Sequence, residues 1–245
     1  MMTQTARHIM VDIETLGIPG PDFDPIIWQV GWQEFRINER LACSTDADYL
    51  EQGDFTLLAR EQEVLGRKAD PDTIAWMKQK GTYEAYVALQ EHGPIYTIAK
   101  TRAEMFASFV NFDGSLDNLY VWCKGGSFDF ALLRSLMGDL PWHYRAECCM
   151  RPVLNLATMM TGIPLPKIDG GHRAFSDAQA QIKLLDAGLQ RLATHVVNQH
   201  NLMLLSQTQA PDGMIAQPLP VSVSRRECPD DDPDCIRTLE AGQGR

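Results

Sequence analysis

The residues with the most chemical content are acids. In Val11-Asp12-Ile13-Glu14-Thr15, two carboxylates lie two positions apart. On a strand that spacing puts both side chains on one face and sends Val11 and Ile13 to the other. Carboxylates held this close repel unless a positive charge lies between them, and a hard divalent cation that prefers oxygen ligands supplies one. The two residues therefore read as part of a metal site at the C-terminal end of a strand, a usual place for chemistry in α/β sheets. An acid-rich chain contains an Asp-x-Glu by chance about once, so the motif needs company.

Company comes from two later segments. Asp129 lies in GGSFDFALLRSL, at the start of an amphipathic helix, where the helix dipole alone also favours an acid. His172 and Asp177 lie in GGHRAFSDAQAQ, where a glycine pair delivers the histidine and a long helix carries the aspartate. A histidine side chain, with an unperturbed pKa of about 6.5, can accept a proton near neutral pH, where metal-bound carboxylates stay ionised. No one motif decides the matter. The ordered set does: Asp-x-Glu on a strand, Phe-Asp at a helix start, His-x4-Asp opening a late helix.

The elements that must position these residues can be read from the same chain. Residues 8–13 and 26–35 are apolar, β-branched and aromatic runs, and the Gly- and Pro-rich GIPGPDFDP between them is a loop. Residues 41–49 suggest a third strand, with Asp46 and Asp48 breaking its pattern. Asp70 and Pro71 open a helix that Gly81 stops, and residues 83–91 form another. Thr101 and Glu104 have capping-box spacing ahead of Met105, Phe106, Phe109 and Val110, which recur at helical intervals. Residues 119–123 are a short strand, followed by helices over 128–137 and 151–160, a loop over 162–171, and a long helix from 175 to about 197. Strands first, then helices alternating with strand, predict an α/β class with a sheet flanked by helices. Neither a P-loop nor a GxGxxG follows any strand, and no fixed-period repeat is present, which removes most nucleoside-triphosphate and dinucleotide enzymes.

The 245 residues suit one sizeable domain with an extension, read as a domain over 1–205 and a Pro- and Asp-rich tail over 206–245. With 44% hydrophobic and 22% charged residues, the composition is that of a globular protein. No run of 18 apolar residues occurs and MMTQTARHIM lacks the apolar stretch of a leader, so the expectation is a cytoplasmic protein with no membrane partner. Cys43 and Cys123 sit in strand-like stretches where free thiols are usual, and Cys148 and Cys149 are adjacent, which argues against a disulfide framework. Cys228 and Cys235 bracket the acidic run CPDDDPDC, read as tail decoration because two thiolates alone make no structural zinc site. The five tryptophans, Trp28, Trp32, Trp76, Trp122 and Trp142, all occupy apolar or amphipathic settings and read as core or interface.

A net charge of −10 speaks against a protein that coats nucleic acid by bulk electrostatics. The charge is unevenly distributed, however. Between Lys124 and Lys183 seven bases (Lys124, Arg134, Arg145, Arg151, Lys167, Arg173, Lys183) meet five acids (Asp129, Asp139, Glu147, Asp169, Asp177), whereas residues 227–240 carry six acids and one base.

The motifs VDIETLG, SFDFALL and HRAFSDA, taken in order, resemble the DEDDh subgroup of DnaQ-like 3′-5′ exonucleases over roughly residues 8–200. The sister subgroup would place a tyrosine at position 173, which is arginine. TIAWMKQKG and the Trp-Cys-Lys-Gly run look most like phage and bacterial exonuclease VIII-like and related exoribonuclease domains. Some relatives carry an Asn shortly before the Phe-Asp; here Lys124-Gly125-Gly126-Ser127 fills that stretch.

The resemblance implies an RNase H-like mixed β-sheet flanked by helices. It implies that Asp12, Glu14, Asp129, His172 and Asp177 are catalytic, the four acids holding two Mg²⁺ or Mn²⁺ ions and His172 serving as general base. It implies release of nucleoside 5′-monophosphates from single-stranded RNA or DNA with a free 3′ end, RNA slightly preferred. Thr15, Leu16 and Phe128 would touch the terminal nucleotide, and the basic stretch around Arg145, Arg151, Lys167 and Arg173 would meet phosphates. Relatives of this kind are often dimers, which leaves a homodimer open. Two other readings stay open as well. One is a catalytically silent RNase H-like module that binds nucleic acid or protein, whose signature would be a missing ligand. The other is a phosphodiesterase for very short oligonucleotides, built on the same five residues.

Overall fold

The computed structural model describes residues 6–45, 50–110 and 116–208. Seven strands form one sheet: β1 (Arg7–Thr15), β2 (Ile27–Ile37), β3 (Cys43–Ser44), β4 (Gln52–Leu57), β5 (Ile95–Tyr96), β6 (Leu119–Cys123) and β7 (Glu147–Cys149). Their spatial order is β5-β4-β2-β1-β6-β7, with β3 added alongside β2. β1 pairs antiparallel with β2 and parallel with β6, so the sheet is mixed. The helices are α1 (Ala59–Val64), α2 (Pro71–Lys80), α3 (Tyr83–His92), α4 (Ile98–Phe109), α5 (Gly126–Met137), α6 (Met150–Thr161) and α7 (Ala174–Thr208).

Alternation along β1 divides the interior into two layers. Ile9, Val11 and Ile13 face a cluster built with Met105 and Phe109 of α4 and Phe130 and Leu133 of α5. Met10, on the opposite face, packs with Phe35, with Met150 and Leu154 of α6, and with Ala178, Ile182 and Leu185 of α7. Asp12 and Glu14 continue that second face. The sheet thus presents its acids to the side that α6 and α7 cover.

The third strand expected over 41–49 shrinks to Cys43–Ser44, and residues 46–49 lie outside the described residues. The helix expected from a Thr101 cap starts earlier: Thr97 caps α4, its hydroxyl accepting from Lys100 N at 3.2 Å. Thr101 is instead buried one turn inside the helix. Threonine can cap at either position, and Thr97 takes the role because it precedes three more residues able to join the helix. α7 runs eleven residues past its expected end, to Thr208. The expected tail boundary at 205/206 falls within it, and CPDDDPDC lies outside the described residues. The described residues up to His200 form one compact unit.

Among the described residues Cys43, Cys123, Cys148 and Cys149 are free thiols. Trp28, Trp32 and Trp142 are buried, and Trp122 donates through Nε1 to His8 Nδ1 at 3.1 Å. Trp76 departs from expectation, being 41% exposed. No helix among the described residues is long and apolar enough to cross a membrane.

Candidate active site

Three elements bring the candidate residues to one cleft of about 350 Å³. Asp12 and Glu14 come from the end of β1, Asp129 from the first turn of α5, and Asp177 from the first turn of α7, with His172 in the loop just before it. All five line the cleft. One ligand atom from each of Glu14, His172 and Asp177 can be chosen so that all three lie within 4.8 Å of one another.

Local sequence explains each placement. The register between β1 and β2 slips at Glu14/Thr15, a bulge that ends the ladder beside the acids. Gly31 lies directly across from Asp12 on β2, and a Cβ there would overlap the backbone of Ala174 and Phe175. This glycine lets the start of α7 settle against the sheet. Gly170 works in the same way, since a Cβ on it would overlap Asp177. His172 itself takes the left-handed conformation, with φ 56°, after Gly171 at φ 82°. Such a conformation is uncommon for a non-glycine residue and turns the chain sharply into α7. Gly125, ahead of α5, donates its backbone N–H to Asp129 Oδ2 at 3.0 Å and fixes that carboxylate.

The electrostatics are those of crowded buried acids. Burial pushes Asp12 well above the usual carboxylate range, and the neighbouring charges of Asp129, Glu14 and Asp177 add to it. Glu14 is pushed up to about 8, first by burial and then by its hydrogen bond with Asp177 and that residue's charge. Asp129 rises to about 6 by burial, moderated by the Gly125 N–H and by Arg151. The donor set is hard oxygen with one imidazole, and among the described residues that line the cleft no buried Lys or Arg matches its negative charge. Gln181, one turn beyond Asp177, donates to Asp12 Oδ1, leaving its own buried Oε1 without a donor. These features fit divalent cations held by Asp12, Glu14, Asp129 and Asp177.

Of the further candidates, Phe128 lines the cleft. Thr15 donates its hydroxyl to Gly17 O at 2.7 Å. Leu16 is 1% exposed and packs with Ile26, Trp28, Ala59 and Met77, in the core and not on the cleft wall. Arg151 of the basic stretch lines the cleft, whereas Arg145 lies over the Tyr144 ring and Arg173 faces Asp54 at 3.9 Å. Lys124, in the stretch where the chain departs from its relatives, joins Arg151 on the wall. Gln181 was not among the expected site residues, although its place four residues after Asp177 puts both on one helix face. Arg151, at the start of α6, was expected to meet phosphates as part of the basic stretch; Lys124 was not singled out for the cleft, because its place there depends on where β6 ends.

A family model for the Rv2179c-like 3′-5′ exoribonuclease domain matches residues 7–189. Among solved structures, Escherichia coli exonuclease I in complex with a dT13 oligonucleotide is similar at 14% identity, with a TM-score of 0.52, covering 82% of this chain and 46% of that one. A zinc-bound E. coli exonuclease I complex with single-stranded DNA gives 14% identity and a TM-score of 0.55, covering 82% and 45%. At this identity the likeness is one of fold, and the chain spans less than half the length of these structures. No curated protein matches the sequence.

Proposed function

The chain belongs to the Rv2179c-like family of 3′-5′ exoribonuclease domains, and on that premise we propose that it is a DEDDh-type exonuclease acting on free 3′ ends of single-stranded nucleic acid. It prefers RNA slightly over DNA and releases nucleoside 5′-monophosphates. The observation that carries this reading is the convergence of four carboxylates and one histidine, from β1, α5 and the start of α7, on one cleft.

Asp12, Glu14, Asp129 and Asp177 would hold two divalent ions, Mg²⁺ or Mn²⁺. Such ions, when bound, lower the pKa of water and offset charge on the leaving oxygen. His172 accepts the proton of the attacking water through a ring nitrogen, a role that requires it close to Glu14 and Asp177, where it lies. Asp12 is oriented by the Gln181 amide and Asp129 by the Gly125 N–H, so both are held before substrate arrives. Lys124 and Arg151 meet the scissile phosphate, and Phe128 offers its ring to the terminal nucleotide. Exonuclease I, a fold relative, was solved with single strands, which supports the same substrate class here.

The test uses single-stranded RNA and DNA of one sequence, labelled at the 5′ end and incubated with Mn²⁺ or Mg²⁺. A ladder receding from the 3′ end and 5′-monophosphates by chromatography are expected. Intact substrates with either ion would favour the silent binding module. Cleavage confined to oligonucleotides of a few residues would favour the short-substrate phosphodiesterase.

A further inference from the structure

Behind the cleft lie two thiols that the proposed hydrolysis leaves unused. Cys123 ends β6 and Cys149 ends β7, and the two are direct partners in the parallel ladder between those strands. Direct partners point to the same face of a sheet, and neighbouring strands lie about 4.8 Å apart. That spacing falls inside the Cα separation of roughly 4.4–6.8 Å that a disulfide spans. The shared face is the one α5 covers: Cys123 packs in the cluster with Phe130 and Leu133, and Glu147, two residues before Cys149, bonds to Arg134 of α5. A Cβ placed on Gly126, the first residue of α5, would lie 3.7 Å from Cys123 Sγ and 3.8 Å from Cys149 Cβ, so the start of α5 sits over both residues. Cys148 belongs to the other face, since its partner Trp122 packs in the cluster beneath α6 and α7.

Each thiol also touches a group of the cleft. Cys123 hydrogen-bonds with the Asp129 carboxylate. Cys149 donates its S–H to Lys124 O at 3.4 Å, and Lys124 and Gly125 line the cleft. Gly125 in turn holds Asp129 through its N–H. A buried cysteine is most often plain packing, and Cys123, with no exposure, would be that if it stood alone. Beside it stands Cys149, which is partly exposed. We propose that Cys123 and Cys149 form a reversible redox pair, a modification site for hydrogen peroxide that disables the cleft when oxidised. Cys149, the thiol within reach of solvent, attacks one peroxide oxygen; the O–O bond breaks, the sulfur becomes a sulfenic acid and one water leaves. Cys123 then attacks that sulfur, the S–S bond forms, and the sulfenic hydroxyl departs with the Cys123 proton as a second water. Two thiols are oxidised to one disulfide while one peroxide is reduced to two waters. Closure takes the Cys123 S–H off Asp129 and the Cys149 S–H off Lys124 O, so the turn that fixes the Asp129 carboxylate loses both supports. This inference rests on the exonuclease reading of the same cleft, in which Asp129 is a metal ligand.

The test uses the full-length protein, reduced, treated with hydrogen peroxide in EDTA and then cleared of peroxide with catalase. Tryptic digestion without reductant is expected to give a linked species joining residues 103–124 to residues 146–167, lighter than their sum by two hydrogens. It should form in wild type and Cys148→Ser and be absent in Cys149→Ser. Peroxide is expected to lower kcat/KM on single-stranded RNA at least roughly tenfold in wild type and Cys148→Ser, the scale of disturbing the hydrogen bonds behind a metal ligand. Dithiothreitol should restore the activity, and Cys149→Ser should pass through peroxide unchanged. The rise in melting temperature that Mn²⁺ gives the reduced protein should shrink on oxidation in parallel. Absence of the linked species, linkage with activity and the Mn²⁺ shift both intact, or an equal loss in Cys149→Ser would each overturn the proposal. Reduced wild type inactive on RNA would instead overturn the exonuclease reading, and the linked species with the Mn²⁺ shift would then decide the redox pair.

Discussion

Burial is what makes the acids of the cleft costly in the absence of metal. Glu14 is pushed up to about 8 and Asp129 to about 6, with Asp12 raised as well. In the fold each holds a proton that the unfolded chain releases above about pH 4. The stability this proton contributes is complete below the unfolded value and is lost as pH rises through the folded one. His8, held down to about 4 mainly by burial, works in the opposite sense but only below about pH 6.5. Protein stripped of divalent ions with EDTA is therefore expected to melt progressively lower between about pH 6.5 and 8, measurable by thermal denaturation across buffers. Mg²⁺ or Mn²⁺ added at pH 8 should restore the melting temperature, because ions that bind only the folded state stabilise it by mass action. Asp12→Asn removes one of the repelling charges, so it should raise the melting temperature in EDTA at pH 8 while abolishing turnover. A melting temperature that does not change with pH would contradict the electrostatic coupling of these acids.

At the scale of elements, the docking of α7 on β2 decides whether the site exists. Gly31→Ala places a Cβ against the backbone of Ala174 and Phe175, which cannot rotate aside as a side chain would. The helix must lift, carrying Asp177 and His172 away from Asp12 and Glu14. Overpacking of this kind costs about 1–3 kcal/mol, and the expected outcome is a lower midpoint in urea unfolding with activity lost beyond what stability explains. β1, β2 and α5 were legible in the sequence because their apolar residues recur at the period of the element they form. β4 was not, since Gln52-Gly53-Asp54 looks like a loop; Gly53 is there because the Trp32 ring occupies the space of a Cβ. α1, with six residues and no side-chain cap, and β7, with three residues, are too short to carry a period. The five candidate residues were legible through their order along the chain. Arg151 was expected to meet phosphates as part of the basic stretch, whereas Lys124 was not recognised as a cleft residue, since only tertiary placement separates a cleft wall from an ordinary surface.

At the scale of the whole molecule, a chain of net charge −10 can engage a polyanion only where cations are concentrated. The cleft offers Lys124 and Arg151 for that purpose. Two phosphate contacts to a single strand imply a slope of log affinity against log salt of about −1.4, measurable by fluorescence anisotropy with a labelled oligonucleotide in a fixed divalent-ion buffer. A slope steeper than about −4 would mean a basic surface well beyond this cleft. Such shallow dependence would place the main attraction at the reacting nucleotide, whose fate gives the most direct test of all. Wild type, Asp129→Asn and His172→Ala, each checked for a native melting temperature, are incubated with 5′-labelled single-stranded RNA and Mn²⁺. The expected result is a ladder receding from the 3′ end with wild type, slowed by at least about 100-fold in each variant. Undiminished degradation by either variant would contradict the assignment of these side chains to the chemistry.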